Sequence, residues 1–272
     1  MKKTGFGFYF FLALFIFIVM FPFIWVFLTS IKPVGEIFSS FNWFTSNPTL
    51  ESYESAITSR PLFKYMLNSF IVASVTTLIA LTFASFTSYA VTRLPIRFKG
   101  TILGLILASS MFPQIAIISP IFNFVSDFGL RNSYLGLVIP YITISLPLSI
   151  WILSTFFQKI PKELEESAKL DGATPFQTFR KIIFPLATPG IFTTAILTFI
   201  GAWNEYLFAL TINTEDSMRT IPVGISMYQS QYAVPWGDIT AATVIVTIPI
   251  VVLVLIFQRR IVSGLTSGSV KE

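Results

Sequence analysis

The side chains able to do chemistry in this 272-residue sequence are few and unevenly placed. It has no histidine and no cysteine, which excludes an imidazole base, a thiolate nucleophile, thiolate zinc ligation and disulfides. What remains is one long charged island, 159–181 (KIPKELEESAKLDGATPFQTFRK), and a small polar cluster elsewhere. The island carries Lys159, Lys162, Lys169, Arg180 and Lys181 with Glu163, Glu165, Glu166 and Asp171, after 27 residues without a charge. Such a concentration of charge addresses something outside the membrane, and no catalytic residue or metal site is expected. The polar cluster is Asn204 and Glu205 at the end of an apolar run, with Gln114 in another. An ionisable group at membrane depth is by default a functional candidate, so Asn204, Glu205 and Gln114 are candidates for a translocation pathway. A position near the membrane surface, where Glu205 reaches water, is the equal alternative.

The elements that hold the island follow from its local chemistry. Pro161 suits a first helical position, and Glu163, Glu165 and Glu166 favour the positive end of the helix dipole. This predicts a helix to about Asp171. Gly172 then stands where a left-handed cap is needed. Thr174, Pro175 and Gln177 make a capping box that starts a second helix. The prediction is a helix, turn, helix knuckle, which on charge and caps alone is equally an ordinary amphipathic loop.

Around the island the chain is greasy. It is 54% hydrophobic and 11% charged, with a mean hydropathy of +0.75, a profile of an integral membrane protein. Each of six charge-free runs contains the ~20 residues needed to cross ~30 Å of hydrocarbon. The expected fold is all-α, a single domain with six spans near 8–30, 66–92, 101–126, 134–157, 187–211 and 238–257, and a polar loop at 159–185. The first run follows Lys2 and Lys3 but is too long, and interrupted by Pro22, for a cleaved leader, so it is taken as a retained span. With both termini in the cytoplasm, 13 of the 18 basic residues fall inside, as the positive-inside rule requires. The basic residues thus read as topology determinants, with no nucleic-acid partner.

Polar residues and prolines in the spans give weaker clues. Pro113, Gln114, Pro120 and Asn123 interrupt the third span, and Pro140 and Pro147 the fourth; they border a substrate route or are simple kinks. Small residues along the second span predict close helix packing. A helix is expected around 49–58. The tyrosines and tryptophan of 213–238 form an interfacial belt or meet something arriving from outside. The tail 258–272 reads as flexible from its glycines and serines. No phosphate-binding G-x-x-x-x-G-K-[ST] loop occurs, so ATP is not bound here by that route.

Within the island, Glu166, Ser167, Ala168, then Gly172, Ile182, Phe184 and Pro185 fall at the spacing E-A-A-x3-G-x9-I-x-L-P. This stretch resembles the EAA loop of permease subunits of binding-protein-dependent ABC importers, with Ser167 for the middle alanine and Phe184 for the leucine. The segments 68–93 and 220–232 and the tail are similar to the shorter, maltose-type permease of the carbohydrate branch. The resemblance implies a coupling helix that docks on an ATPase, its role falling to Glu166, Ser167, Ala168, Asp171, Gly172, Ile182 and Pro185. It implies further a second, different permease subunit, two cytoplasmic ATPase subunits that bind the ATP, an extracytoplasmic solute-binding protein and a sugar substrate. The chain itself would be no enzyme, hold no cofactor, and lie among the lipids of a bacterial or archaeal cytoplasmic membrane. The loop 213–238 would probe the binding protein, and 264–271 would contact the ATPase dimer. The rival class is an ion-gradient-driven transporter or channel, which calls for paired intramembrane charges absent from five of the six runs.

Overall fold

A computed structural model describes residues 6–38, 42–230 and 234–266, the backbone alone at 6 and 259–266. Lys2, Lys3, Tyr232 and positions 267–271 of the tail lie outside the described residues. Every regular element among the described residues is helical. The chain divides into two compact units, 1–64 with 224–249, and 65–223 with 250–272.

The first unit holds α1 (Phe6–Ser30), α2 (Glu51–Ser59) and the start of α13 (Trp236–Thr266). The 25 residues of α1 carry no charge and expose Phe10, Phe11, Phe15 and Phe17. Apolar side chains on all sides of a helix of this length mark a lipid-immersed span. The polar residues that follow are tied down. Ser30 Oγ and Tyr53 Oη lie 2.8 Å apart, and the Lys32 ammonium sits 5.1 Å above the Trp25 ring. Along α2, Ser55 donates to Asp238 at 2.7 Å and Tyr228 donates to the Ala56 carbonyl, while Arg60 reaches the Met227 carbonyl at 2.9 Å. Burial, with the Asp238 charge second, pushes the Tyr228 phenol up to about 12 against the opposing pull of Arg60. The helix expected around 49–58 is therefore present, shifted to Glu51–Ser59.

The second unit is organised on α3 (Leu62–Arg93) and α6 (Tyr134–Lys159). Between them α4 (Lys99–Ser109) and α5 (Gln114–Asp127) meet at 85°. The expected third span is thus two half-helices, broken at 110–113 just before Pro113, whose fixed φ starts α5. Pro140 and Pro147 lie inside an uninterrupted α6, so the expected interruption of the fourth span does not occur. Small residues, among them Ala73, Thr76, Ala80, Ala84, Ser85 and Ser88, make up much of the buried face of α3. Their size lets Ser88 Oγ donate to the Ile150 carbonyl on α6 at 2.9 Å.

After α6 come α7 (Glu163–Leu170), α8 (Pro175–Thr178), a π turn at Phe179–Ile183, α9 (Phe184–Leu186) and α10 (Thr188–Trp203). The segment Pro175–Leu186 meets α10 at 76°. The fifth expected span, 187–211, ends early: α10 stops at Trp203, and α11 (Leu207–Ile212) follows a break at Asn204–Tyr206. Next come α12 (Ile221–Ser226) and α13, whose helix runs to Thr266 and replaces the expected flexible tail over 258–266. Among the described residues, four helices are long and apolar enough to cross a membrane, or up to six if each bent pair is one span.

At the end of the second unit away from the charged island, the loop 213–219 is hydrogen-bonded back onto the helices. Tyr65 donates to Asp216 at 2.8 Å, Asn68 to the carbonyls of Ser217 and Arg219 at 3.0 and 2.8 Å, and Tyr134 to Asn68 at 2.9 Å. Arg219 pairs with Asp216 at 3.6 Å. This polar part of the long loop works as a hydrogen-bonded lid on its own helices.

Candidate functional site

The knuckle forms as its chemistry requires, with one change. Pro161 precedes α7 by a residue, and Lys162 occupies the N-cap, its carbonyl taking Glu165 and Glu166 N–H at 2.9 and 3.1 Å. Glu163, Glu165 and Glu166 fill the first turn, where the dipole favours them. At the far end Gly172 adopts φ +79°. Its N–H reaches the Lys169 carbonyl at 3.0 Å and that of Ala173 the Ala168 carbonyl at 2.9 Å, the paired bonds of a Schellman cap. Thr174 and Gln177 exchange bonds at 2.8 and 3.3 Å as a capping box, with Pro175 at the first helical position.

What seats the knuckle on the bundle is an aromatic cluster and one cation. Tyr89, Phe157, Ile160, Phe179, Ile183 and Ala187 form a buried core beneath it, with Ile182 packed against the edge. Phe179 touches Tyr89 and Phe86 with centroids 5.1 Å apart. The last residue of α3, Arg93, reaches across to Glu165 at 3.1 Å, and the two side chains are only 3% and 10% exposed. Its Nη2 donates to the carbonyls of Phe157 and Ile160 at the end of α6. The Phe157 carbonyl, in the last turn, also accepts the Ile160 N–H at 3.2 Å, and Ile160 is the C-cap residue just beyond α6.

The seven residues implicated by spacing divide in two. Glu166, Ser167, Asp171, Gly172 and Pro185 face outward, whereas Ala168 is 6% exposed and Ile182 half-buried. The last two hold the knuckle down rather than present it. Large apolar side chains join the outward set: Leu164, Phe176 and above all Leu170, 90% exposed. The spacing pattern passed over Arg93, Glu165, Tyr89 and Phe179. A clean signal for Arg93 did exist, because it is the one charge ending a 28-residue uncharged run.

A second feature is a cleft of about 200 Å³ between α5, α6 and α10. Gln114, Tyr141, Ser145, Ser149, Thr194, Thr198 and Glu205 give it a polar lining among Ile144, Leu148 and Leu197. Gln114 and Glu205 are therefore brought together, while Asn204 is exposed and outside the cleft. Glu205 is tied down instead of reaching freely for water. Its carboxylate accepts from Phe208 and Ala209 N–H at 2.8 and 3.1 Å, capping α11, and from the Tyr141 hydroxyl. No cluster of metal-ligating side chains occurs among the described residues.

A bent bundle with a capped, charged knuckle between two apolar spans has clear counterparts. Residues 80–267 match the family described as binding-protein-dependent transport system inner membrane component. The chain belongs to this family. It is 44% identical over 252 residues to the trehalose transport system permease protein SugB of Mycobacterium tuberculosis, covering 92% of each chain. It is 42% identical over 263 residues to the trehalose/maltose transport system permease protein MalG of Thermococcus litoralis, covering 93% of this chain and 91% of that one. Among solved structures, a chain of a bacterial ABC transporter involved in import of the acidic polysaccharide alginate superposes with a TM-score of 0.80 at 19% identity, covering 95% of this chain and 99% of that one. The all-α permease fold and the multi-pass membrane character of this transport component follow from these matches.

Proposed function

We propose that this permease is the maltose-type subunit of an ATP-driven importer that takes up a sugar or oligosaccharide delivered by an extracytoplasmic binding protein. It pairs with a second, different permease subunit and with two ATPase subunits that bind the nucleotide. The observation that carries this reading is the knuckle at 163–186. It is rigid by its two caps, seated on a buried aromatic core, and yet exposes Leu164, Leu170 and Phe176 beside Glu166, Ser167 and Asp171. Exposed apolar anchors with charged neighbours on a rigid base suit a cleft in a cytoplasmic partner. The trehalose and maltose in the relatives' names support a sugar cargo.

Gln114 and Glu205, with the hydroxyls beside them, form this subunit's wall of the translocation pathway. Hydroxyls and amides suit a hydroxyl-rich, uncharged cargo, and no charge transfer is asked of them. An ion-gradient mechanism would need a carboxylate free to exchange protons or cations, and Glu205 already serves three donors. The orientation is both termini in the cytoplasm of a bacterial or archaeal cell, with the knuckle on that side.

The test is ATP hydrolysis by the assembly reconstituted in lipid with its partner permease, ATPase and binding protein, against mono-, di- and oligosaccharides. Stimulation by one sugar class is the expected result. An assembly unmoved by every sugar but stimulated by another class of solute would overturn the carbohydrate assignment.

A further inference from the structure

We infer that Arg93 is the positioning residue that makes α3 move with the coupling knuckle. The inference rests on the coupling role proposed above. The chain connects the knuckle covalently to α6 and α10, because α7 follows α6 and α9 leads into α10. Helix α3 is separated from it by some seventy residues and is joined to it through side chains alone. A push on the knuckle reaches α6 and α10 through the backbone, and reaches α3 only as far as those side chains are stiff.

Two kinds of contact make the join. The first is aromatic: Phe86 and Tyr89 lie against Phe179, and Phe86 stacks on Phe176 at 6.5 Å. Such contacts are non-directional and let helices slide. The second is polar. Arg93 Nη2 donates to two carbonyls at the end of α6, which fixes the guanidinium, and its Nε lies 3.1 Å from Glu165 of α7 as a buried ion pair without a hydrogen bond. One turn earlier Tyr89 Oη donates to the Pro175 carbonyl at 3.4 Å, so the end of α3 holds both α7 and the start of α8. Burial removes the water that would otherwise compete for these groups, and a guanidinium in this geometry is not replaceable by a sliding contact.

The site also explains why the charge pair is buried at all. An apolar pair would seal this spot equally well, since buried ion pairs add little net stability over hydrophobic replacements. What the ion pair supplies is a single allowed register between α3 and α7. Beside it lies an apolar hollow lined by Leu78, Leu81, Thr82, Ser85 and Phe86 of α3 and by Phe179 and Phe184 of the knuckle segment. The hollow gives the two elements room to shift against one another when the clamp is cut.

The chain has no cysteine, so spin labels at Thr82→Cys and Phe184→Cys report the separation of α3 from the knuckle. The full assembly with partner permease and ATPase subunits is measured nucleotide-free and with ATP trapped by vanadate. In the parent the label separation should be the same in both states. In Arg93→Gln and Glu165→Gln it should shift on trapping by about 2 Å or more, the scale of helix displacement in switching proteins. Arg93→Lys, which keeps a cation and a donor, should restore most of the parent behaviour. Should the neutral single variants fail to assemble, the paired Arg93→Met/Glu165→Leu variant fills the same space without a fixed register and should show the same shift. An unchanged separation in that pair would overturn the inference. Cross-linking from Ser167→Cys to the ATPase subunit in the parent reads the docking itself, so its absence would indict the coupling reading and not the role of Arg93.

Discussion

Gly172 offers the sharpest test of the knuckle because its role is purely conformational. At φ +79° it lies where L side chains meet their own carbonyl, and an added Cβ would find nothing within 4 Å. Space is therefore no obstacle, and the whole penalty is backbone strain. For alanine that strain is about 1–2 kcal/mol, enough to shift the population of the native turn by roughly 5- to 30-fold. Asparagine, which visits the left-handed region with local hydrogen bonding, should cost less, and β-branched valine more. As the turn unwinds, the Gly172 and Ala173 N–H bonds to Lys169 and Ala168 are lost and α7 swings off the start of α8. The assay is sugar uptake per ATP hydrolysed in the reconstituted assembly, with membrane insertion checked separately. The expected order of coupling is Gly, then Asn, then Ala, then Val, with insertion unaffected. Valine at parent efficiency, or an order that follows side-chain volume, would refute the argument from φ.

Two further substitutions probe the bundle and the cleft. Gly190 on α10 faces Phe156 so closely that an added Cβ would enter the ring; Gly190→Ala should cost about 1–3 kcal/mol by overpacking and lower the melting temperature in detergent. Adding Phe156→Leu should recover much of the loss, and strict additivity of the two changes would exclude the contact. Glu205→Ala strands the Phe208 and Ala209 N–H groups and the Tyr141 hydroxyl, at about 1–3 kcal/mol for each polar group left unsatisfied. Glu205→Gln keeps one acceptor oxygen and should lose less; a gln variant as unstable as the alanine one would mean that the charge, not the cap, matters.

Much of the knuckle was legible in the sequence because its signals are local. A glycine at a left-handed cap, a threonine and glutamine three residues apart, and acidic residues in a first turn act within one or two turns of helix, so spacing alone predicts them. The membrane character was equally plain, since hydrocarbon imposes a minimum apolar length that composition reveals directly. Breaks were harder. The prolines of the third and fourth spans gave the same signal, yet the chain bends by 85° at the break that ends with Pro113 and stays helical through Pro140 and Pro147, because neighbouring helices decide whether a freed carbonyl finds a partner. Glu205 illustrates the same limit: its type and depth were visible, but its use as the cap of α11 depends on where the helix breaks.

The sequence by itself determined which segments are long and apolar enough to cross a membrane, where the charged knuckle lies between them, and the turn chemistry that makes the knuckle rigid, because each of these is written in residues adjacent along the chain. Only the tertiary structure decided that Ala168 faces inward while Leu170 faces out, that Gln114 and Glu205 share one cleft, and that Arg93 clasps Glu165. Those pairings join residues tens of positions apart, and their partners are set by how the helices pack and not by any local preference.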